Sequence, residues 1–475
     1  MELIPAHSFW IKRMESLRTS KRAVLIVAAV TTFMGPFMVS GVNIVLPAMG
    51  TDFAAGAVLL SWVANAYLLS TAVMLVPAAK IADMAGRRKI FIYGIGLFTA
   101  ATVLIAFAPT IWMVIGLRML QGVGAAMVST TGIAIVAAVF PVSERGRAIG
   151  ITVAAVYIGL STGPFAAGYL SALWGWRSLF LVTFPMGLLS VYLAATMIRD
   201  EWTPAAGQPL DIIGTLLYGL CLVLLMAGLS GMPGIKGTMA LVGAIVCFYL
   251  FIRQELKTPY PVVEIALFQK NRGFAFSSLA ALINYAATFA VAFYLSLYLQ
   301  YIKAMTPQTA GLVLITQPVV MALFSPLAGR LSDRFEPGAI ASLGMSLCAT
   351  GLLLLALLNG GSGISYIVGT LLLLGLGFAL FSSPNMNAIM SSVAPAHYGL
   401  ASGTVATMRL IGQMLSMAIA TLFFALFIGD VQITPETHTA FLQAMRLGFA
   451  VCCGLCLIGI YFSWNRGSIR ANTDS

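Results

Sequence analysis

Two arginines stand inside long apolar stretches of this chain: Arg118 in LRMLQGVGAAM and Arg409 in SGTVATMRLIGQML. A guanidinium at bilayer depth costs at least a few kcal/mol, so it normally faces a partner or a water-filled cavity. Arg118 falls roughly two turns inside one membrane face, too deep for an easy reach back to water. Each arginine is therefore a candidate for binding an anion or for handling charge that moves with a proton. The alternative for Arg118 is a structural bond to backbone carbonyls, and for Arg409 a pair with carbonyls or with Gln413.

The acids are distributed differently. None of the fifteen sits at the centre of an apolar stretch. Asp83, Glu144, Asp200, Glu201, Glu255, Asp333 and Glu336 read as loop residues, Asp211 as a helix start, and Glu264 as preceding another. An exchanger of organic cations for protons normally needs a buried carboxylate. Two buried arginines without one favour neutral or anionic ligands. The proton site is left open among Asp83, Arg118 acting through its neighbours, and the substrate itself. His7 and His438 lie in aqueous segments, and His397 lies at the mouth of a helix.

Polar side chains in apolar segments complete a candidate ligand lining: Asn43, Tyr67, Gln121, Tyr157, Asn284, Tyr285, Tyr294, Asn385, Asn387, Arg409 and Gln413, with Asn65 and Gln317 beside them. Singly, such residues also serve as interhelical glue. HExxH, a nucleophile elbow, a phosphate loop and paired acids are all missing, which argues against an enzyme. The cysteines Cys221, Cys247, Cys348, Cys452, Cys453 and Cys456 all fall in apolar helices. The CCxxC run has no nearby histidine and reads as core packing, so neither a metal nor a cofactor is implied.

The elements that must position these residues are membrane helices. Charged residues make up 9% and hydrophobic residues 60% of 475, with a mean hydropathy of +0.97. A soluble domain averages about 25% charged. The apolar segments number fourteen, each long enough to span a bilayer. The net charge of +11 collects in alternate loops, at Lys80 to Lys89, Arg145, Arg147, Arg253 to Arg272, Arg330 and Arg334. By the positive-inside rule that side is cytoplasmic and holds both termini. The charge sets topology and does not imply nucleic acid. The expected units are an amphipathic cytoplasmic tail over 1–22 (Trp10, Met14 and Leu17 on one face), six helices over 23–200, an inserted two-helix hairpin and linker over 201–271, six helices over 272–465, and a cytoplasmic tail over 466–475.

The two six-helix units repeat. Asp83 recurs as Asp333 after 250 residues, while Gly122 and Gly124 recur as Gly375 and Gly377 after 253. Gly150, Gly159, Gly163 and Ala167 map at the same 253 onto Gly403, Gly412, Ser416 and Ala420. Parallel repeats place a substrate near the midplane between halves that rock against each other. Gly159, Gly163 and Ala167 form one helical stripe open to close backbone approach. Pro164 removes a backbone donor there and loosens or kinks the helix. The plain alternative is a tightly packed helix that does not move.

The run from Gly150 through Gly159, Gly163, Pro164 and Gly168 strongly resembles the antiporter motif (GxxxGPxxGG) of the major facilitator superfamily, with Ala167 replacing a usual glycine. AKIADMAGRRK resembles that superfamily's loop GxLaDrxGrr. Its Asp83, Arg87 and Arg88, with Asp333 and Arg334 in the repeat, are implied gating charges that latch one cytoplasmic state; a solvated turn is the alternative. The Arg118 segment is similar to the family pattern lxxxRxxqGxga. NIVLP resembles helix 1 of the fourteen-helix drug:proton antiporters, although Met38 stands where that branch usually has Asp. The resemblance implies an all-α integral membrane fold of 6 + 2 + 6 helices. It further implies a monomeric exporter of small amphipathic organic compounds in the cytoplasmic (inner) membrane, with protons and the lipid bilayer as its other partners. A dedicated exporter of an organic anion or metabolite is the second reading, and a non-transporting sensor or scaffold the third.

Overall fold

The computed structural model describes residues 19–393 and 398–467. The expected surface helix with Trp10, Met14 and Leu17, together with His7, His397 and Arg470, lies outside the described residues. Among those described, fourteen helices are long and apolar enough to cross a membrane. They are α1 (Lys21–Asp52), α2 (Ala57–Ala85), α3 (Arg87–Ala106), α4 (Ile111–Val139), α5 (Glu144–Trp174), α6 (Ser178–Met197) and α7 (Ile212–Ser230). The remainder are α8 (Ile235–Glu255), α9 (Arg272–Ile302), α10 (Pro307–Arg334), α11 (Pro337–Ala356), α12 (Ile364–Ser391), α13 (Leu400–Phe427) and α14 (Pro435–Trp464). Spanning helices keep their backbone bonds internal, as lipid requires.

Polar caps set several starts. Thr110 receives Met113 N at 3.3 Å, Asp211 receives Gly214 N at 2.9 Å, and Asn271 receives Phe274 N at 2.9 Å. Each satisfies a donor left over in a first helical turn. α5 runs through Pro164 as one helix, as α1 does through Pro36 and Pro47.

The sequence repeat is a packing repeat. A Cβ on Gly124 would lie 2.8 Å from Gly94 O of α3, and one on Gly377 would lie 2.8 Å from Gly344 O of α11. Likewise a Cβ on Gly159 of α5 would lie 2.6 Å from Phe33 O of α1, and one on Gly412 of α13 would lie 2.5 Å from Leu282 O of α9. Residues 253 apart thus make the same helix contact in each bundle. The first bundle is α1–α6 and the second α9–α14. The hairpin α7–α8 lies along their seam: α7 packs on both α2 and α13, and Tyr218 Oη donates to Ala72 O at 2.9 Å.

An even number of crossings puts residues 19 and 467, the ends of the described chain, at one end of the molecule, here the terminus end. Hydrogen bonds tie the bundles together at the other, far end. Asn65 Nδ2 reaches Thr421 Oγ1 at 2.7 Å, Thr421 Oγ1 reaches Ser61 Oγ at 2.8 Å, and Ala57 N reaches Val431 O at 3.0 Å. Ser296 Oγ donates to Asn43 O and Gln300 Nε2 to Ile44 O. Toward the terminus end, Gly150 on α5 and its repeat mate Gly403 on α13 have no neighbouring atom within 4 Å of a built Cβ. The bundles are closed at the far end and part toward the termini.

Two expected boundaries shift. Lys21 and Arg22 begin α1 and are not tail residues, and Lys21 pairs with Glu144 at 2.9 Å. Arg466, expected in a solvated tail, is 3% exposed. Its Nε donates to Ser463 O at 2.7 Å, and its NH1 reaches Ser277 Oγ at 3.1 Å and Asn385 Oδ1 at 2.9 Å. Burial pushes its guanidinium down to about 10, with Glu336 acting in the opposite direction. The helix-end charge became a clamp because three polar groups from α9, α12 and α14 converge on it. Arg466→Ala should lower the thermal midpoint clearly, since each bond to a charged group is worth roughly 1.5–3 kcal/mol. Arg466→Lys should recover only part, because an ammonium lacks the planar fork. Differential scanning fluorimetry of the purified protein checks both.

Candidate functional site

Arg409 is half-buried on α13 and faces the parting between the bundles. Tyr285 of α9 stands beside it and beside Ser382 of α12, with Tyr157 of α5 close by. Phe378 closes one side, its ring edge-on to Tyr285 with centroids 5.3 Å apart. The lack of a side chain at Gly412 draws α13 onto the α9 backbone and so brings Arg409 to Tyr285. Gln413 lies one turn on, on the same face as Arg409. Among the described residues no carboxylate is paired with Arg409. The cluster therefore presents a planar cation, two phenols and an amide. It suits a carboxylate, an enolate or a polarised carbonyl on an aromatic body.

Arg118 is placed differently. It is 1% exposed and fully engaged inside the first bundle. Its Nε donates to Val63 O at 3.0 Å and its NH1 to Gln121 Oε1 at 2.5 Å, while Gln121 Nε2 donates to Thr102 Oγ1 at 2.6 Å. The Tyr67 ring lies 4.5 Å from the guanidinium carbon. Gln121 and Tyr67, both in the expected ligand lining, here hold Arg118. The carbonyl-bonded alternative describes this geometry. The network ties α2, α3 and α4 together.

Four more of the expected lining residues lie within bundles, three of them hydrogen-bonded there, while the amide of Asn284 has no hydrogen-bond partner. Asn284 is fully buried beside Cys348. Tyr294 packs on Phe424 and Phe449 and donates to Ala420 O at 3.4 Å. Asn385 donates to Ser277 O and accepts from Arg466, and Asn387 donates to Ser332 Oγ at 3.0 Å. Asn43 contributes its backbone carbonyl to the far-end closure. The structure thus brings Tyr157, Tyr285 and Arg409 together, with Gln413 one turn along α13, and distributes the rest.

The charged loop at the terminus end binds within its own bundle. Arg87 Nε pairs with Asp83 Oδ1 at 2.6 Å, and Arg88 donates to the carbonyls of Ile198 and Ala195 at the end of α6. Glu201 accepts from Arg88 N at 2.8 Å and Lys89 N at 3.2 Å, a carboxylate at the positive start of α3. Gly86, at φ +120°, makes room for it. Asp333 and Arg334 are exposed at the end of α10, and Asp83 lies in the last turn of α2, so the two acids expected in loops are helix residues. With the bundles parted here, Asp83 is held by Arg87 at the start of α3.

Gly159, Gly163, Pro164 and Gly168 serve two faces. A Cβ on Gly163 would overlap Ser40 Oγ and fall 2.8 Å from Phe37 O of α1. On the next face a Cβ on Gly168 would meet Pro307 O at 2.6 Å, and one on Gly311 would overlap Pro164 O. The stripe packs α5 on α1, while Pro164 and Gly168 carry the closed contact to α10 of the other bundle. The opposite contact, α2 on α13, is polar: Asn65, Thr421 and Ser61. Asn65, expected beside the lining, is spent on this closure. Ser61, Thr421, Ser296 and Gln300 carry no sequence signal beyond lying in apolar helices. A double-mutant cycle on Asn65→Ala and Thr421→Val should give a coupling of about 0.6 kcal/mol, typical of interhelical bonds in membranes. Measured unfolding free energies would read it.

A groove of about 650 Å³ also lies on the far-end flank, lined by Trp62, Trp112, Met119 and Ala425 among others. Its lining is mostly apolar but includes Ser230 and Asp430, and it runs past Ile115 and Met119, which flank Arg118 on α4.

The sequence profile described as Major Facilitator Superfamily matches residues 28–262 and 277–472. The chain is 30% identical over 443 residues to the riboflavin transporter RibZ of Clostridioides difficile, covering 93% of this chain and 96% of that protein. It is 32% identical over 401 residues to the multidrug resistance protein Stp of Mycobacterium tuberculosis, covering 82% and 74%. It is also 27% identical to the tetracenomycin C resistance and export protein of Streptomyces glaucescens, over 87% of this chain and 78% of that one. Among solved structures, a peptide transporter POT in complex with sulfate superposes with a TM-score of 0.70 at 15% identity, covering 94% of this chain and 95% of that one. At that identity the likeness is one of fold.

Proposed function

The chain belongs to the major facilitator superfamily, and on that premise we propose that it exports small amphipathic organic compounds across the cytoplasmic membrane by alternating access, in exchange for protons. The observation that carries the reading is Arg409. It is a half-buried cation with tyrosines from both bundles around it and, among the described residues, no paired carboxylate, at the deep end of a parting closed beyond it.

The basic loops put the terminus end in the cytoplasm. The parting then faces the cytoplasm, and the far-end closure is the external gate. A substrate with an anionic or strongly polar group on an aromatic body enters from inside and bonds Arg409, Tyr285 and Tyr157. Rocking then breaks the α2–α13 and α5–α10 contacts and opens the outside. Asp83, Arg87, Arg88, Asp333 and Arg334 latch the cytoplasmic side in that second state. Similarity to a tetracenomycin C exporter and a multidrug resistance protein supports drug-like cargo. Similarity to a riboflavin transporter supports the second reading, a dedicated carrier of one metabolite.

Everted vesicles with an inside-acid gradient test the proposal. Amphipathic anions added outside should release protons, and lipophilic cations should release few. Cation-driven release, unchanged by Arg409→Ala, would overturn the charge argument. Response to a flavin-like neutral compound alone would select the second reading.

A further inference from the structure

The hairpin holds an acidic pair that the transport reading does not use. Glu255, expected in a loop, ends α8 with 4% exposure, and Asp211 at the start of α7 is 9% exposed. Asp211 Oδ1 accepts from Gly214 N at 2.9 Å and from Gln254 Nε2 at 3.2 Å. Glu255 Oε2 accepts from Val263 N at 2.7 Å. Glu255 Oε1 is buried and has no hydrogen-bond partner.

That oxygen borders the same gap as Asp211 Oδ2, which also accepts from Gln254 Nε2 at 3.4 Å. A Cβ on Gly214 would lie 2.5 Å from Glu255 Oε1 and 2.6 Å from Asp211 Oδ2, so the two oxygens share the small space that glycine leaves. The surrounding charges do not neutralise the pair. Lys80 of α2 is directed at Gln208 at 3.2 Å and the Tyr260 ring, and Asp83 is paired with Arg87. Arg253 is exposed over Tyr249, Lys257 and Glu264 are exposed, and Arg409 of α13 stands beside Tyr285. Tyr218 of α7 is engaged with Ala72 O.

Two carboxylates facing one gap cannot both stay ionised without strong repulsion. We propose that Asp211 and Glu255 form a proton-binding site that holds one proton at neutral pH, carried on Glu255 Oε1 and donated to Asp211 Oδ2. The proton comes from water and returns to it; no other bond changes. It supplies the missing partner of Oε1 and joins the start of α7 to the end of α8. Through Val263 the same carboxyl anchors the linker into α9. Losing the proton drives Glu255 from Asp211 and loosens that anchor.

The full chain in detergent, treated with dicyclohexylcarbodiimide, tests this, because that reagent takes protonated carboxyls in apolar surroundings. Mass spectrometry of the Glu255 peptide should show the adduct at neutral pH and its loss toward alkaline pH. Asp211→Asn, which removes the repelling charge, should lower the midpoint by about one pH unit or more. An unlabelled Glu255 at neutral pH, or an unchanged midpoint in the variant, would overturn the site. Labelling that falls with added sodium at fixed pH would overturn it in favour of a metal ion. Should Asp211→Asn not fold, infrared titration decides. A free-acid carbonyl band at neutral pH, present in the wild type and missing in Glu255→Gln, supports the proton; a wild type without that band refutes it. None of these readouts uses transport, so failure here leaves the export reading standing.

Discussion

Arg409→Ala should cut substrate-driven proton release ten- to hundredfold while leaving the fold intact. The guanidinium is half-buried and bonded by neighbours and not by an acid, so its removal strands no buried counter-charge. What is lost is the charge-assisted bond to substrate, worth roughly 1.5–3 kcal/mol. Arg409→Lys keeps the charge but not the fork, and should restore an intermediate rate. Thermal midpoints of both variants should stay near the wild type. Normal transport by Arg409→Ala would remove the proposed substrate site. A large loss of stability would instead make Arg409 a structural residue.

The second large effect is expected at Gly311. A Cβ there would overlap Pro164 O, and the facing Gly168 is similarly tight against Pro307. Gly311→Leu adds four carbons where none fit, and overpacking of this kind costs roughly 1–3 kcal/mol. The cost falls only on the state in which α5 and α10 touch. The equilibrium should therefore shift about tenfold or more toward the state open at the far end. Thiol-reactive probes on cysteines introduced at far-end positions such as Val58 would then label faster. A variant that labels like the parent would mean that this contact does not differ between states. Gly150→Leu makes the contrast: its Cβ meets nothing in this state and would load only the state closed at the terminus end, so it should leave far-end labelling no faster than in the parent.

Few of the polar residues in these helices line the proposed site, and the sequence could not say which. An asparagine in an apolar helix reads alike whether it faces a cavity or a neighbour. Asn385 and Tyr157 are equally polar interruptions, but Asn385 is consumed by Arg466 whereas Tyr157 faces Tyr285 across the parting. Arg118 and Arg409 likewise read as a pair. Local neighbours separate them: Gln121 lies one turn from Arg118 and takes its NH1, whereas Arg409 turns to another helix.

Composition, hydropathy and the 253-residue repeat were enough for fourteen membrane helices in two matching bundles with a hairpin between. These follow from lipid's demand for internally bonded helices and from small residues recurring where backbones must touch. Which end is closed, which arginine is locked inside its own bundle and which acids share a gap belong to the tertiary structure alone. Each depends on contacts between residues hundreds of positions apart, such as Asn65 with Thr421, or on two helix ends meeting, as at Asp211 and Glu255. No local pattern encodes such a meeting, because the same side chains at the same helical positions serve equally well as glue, gate or site.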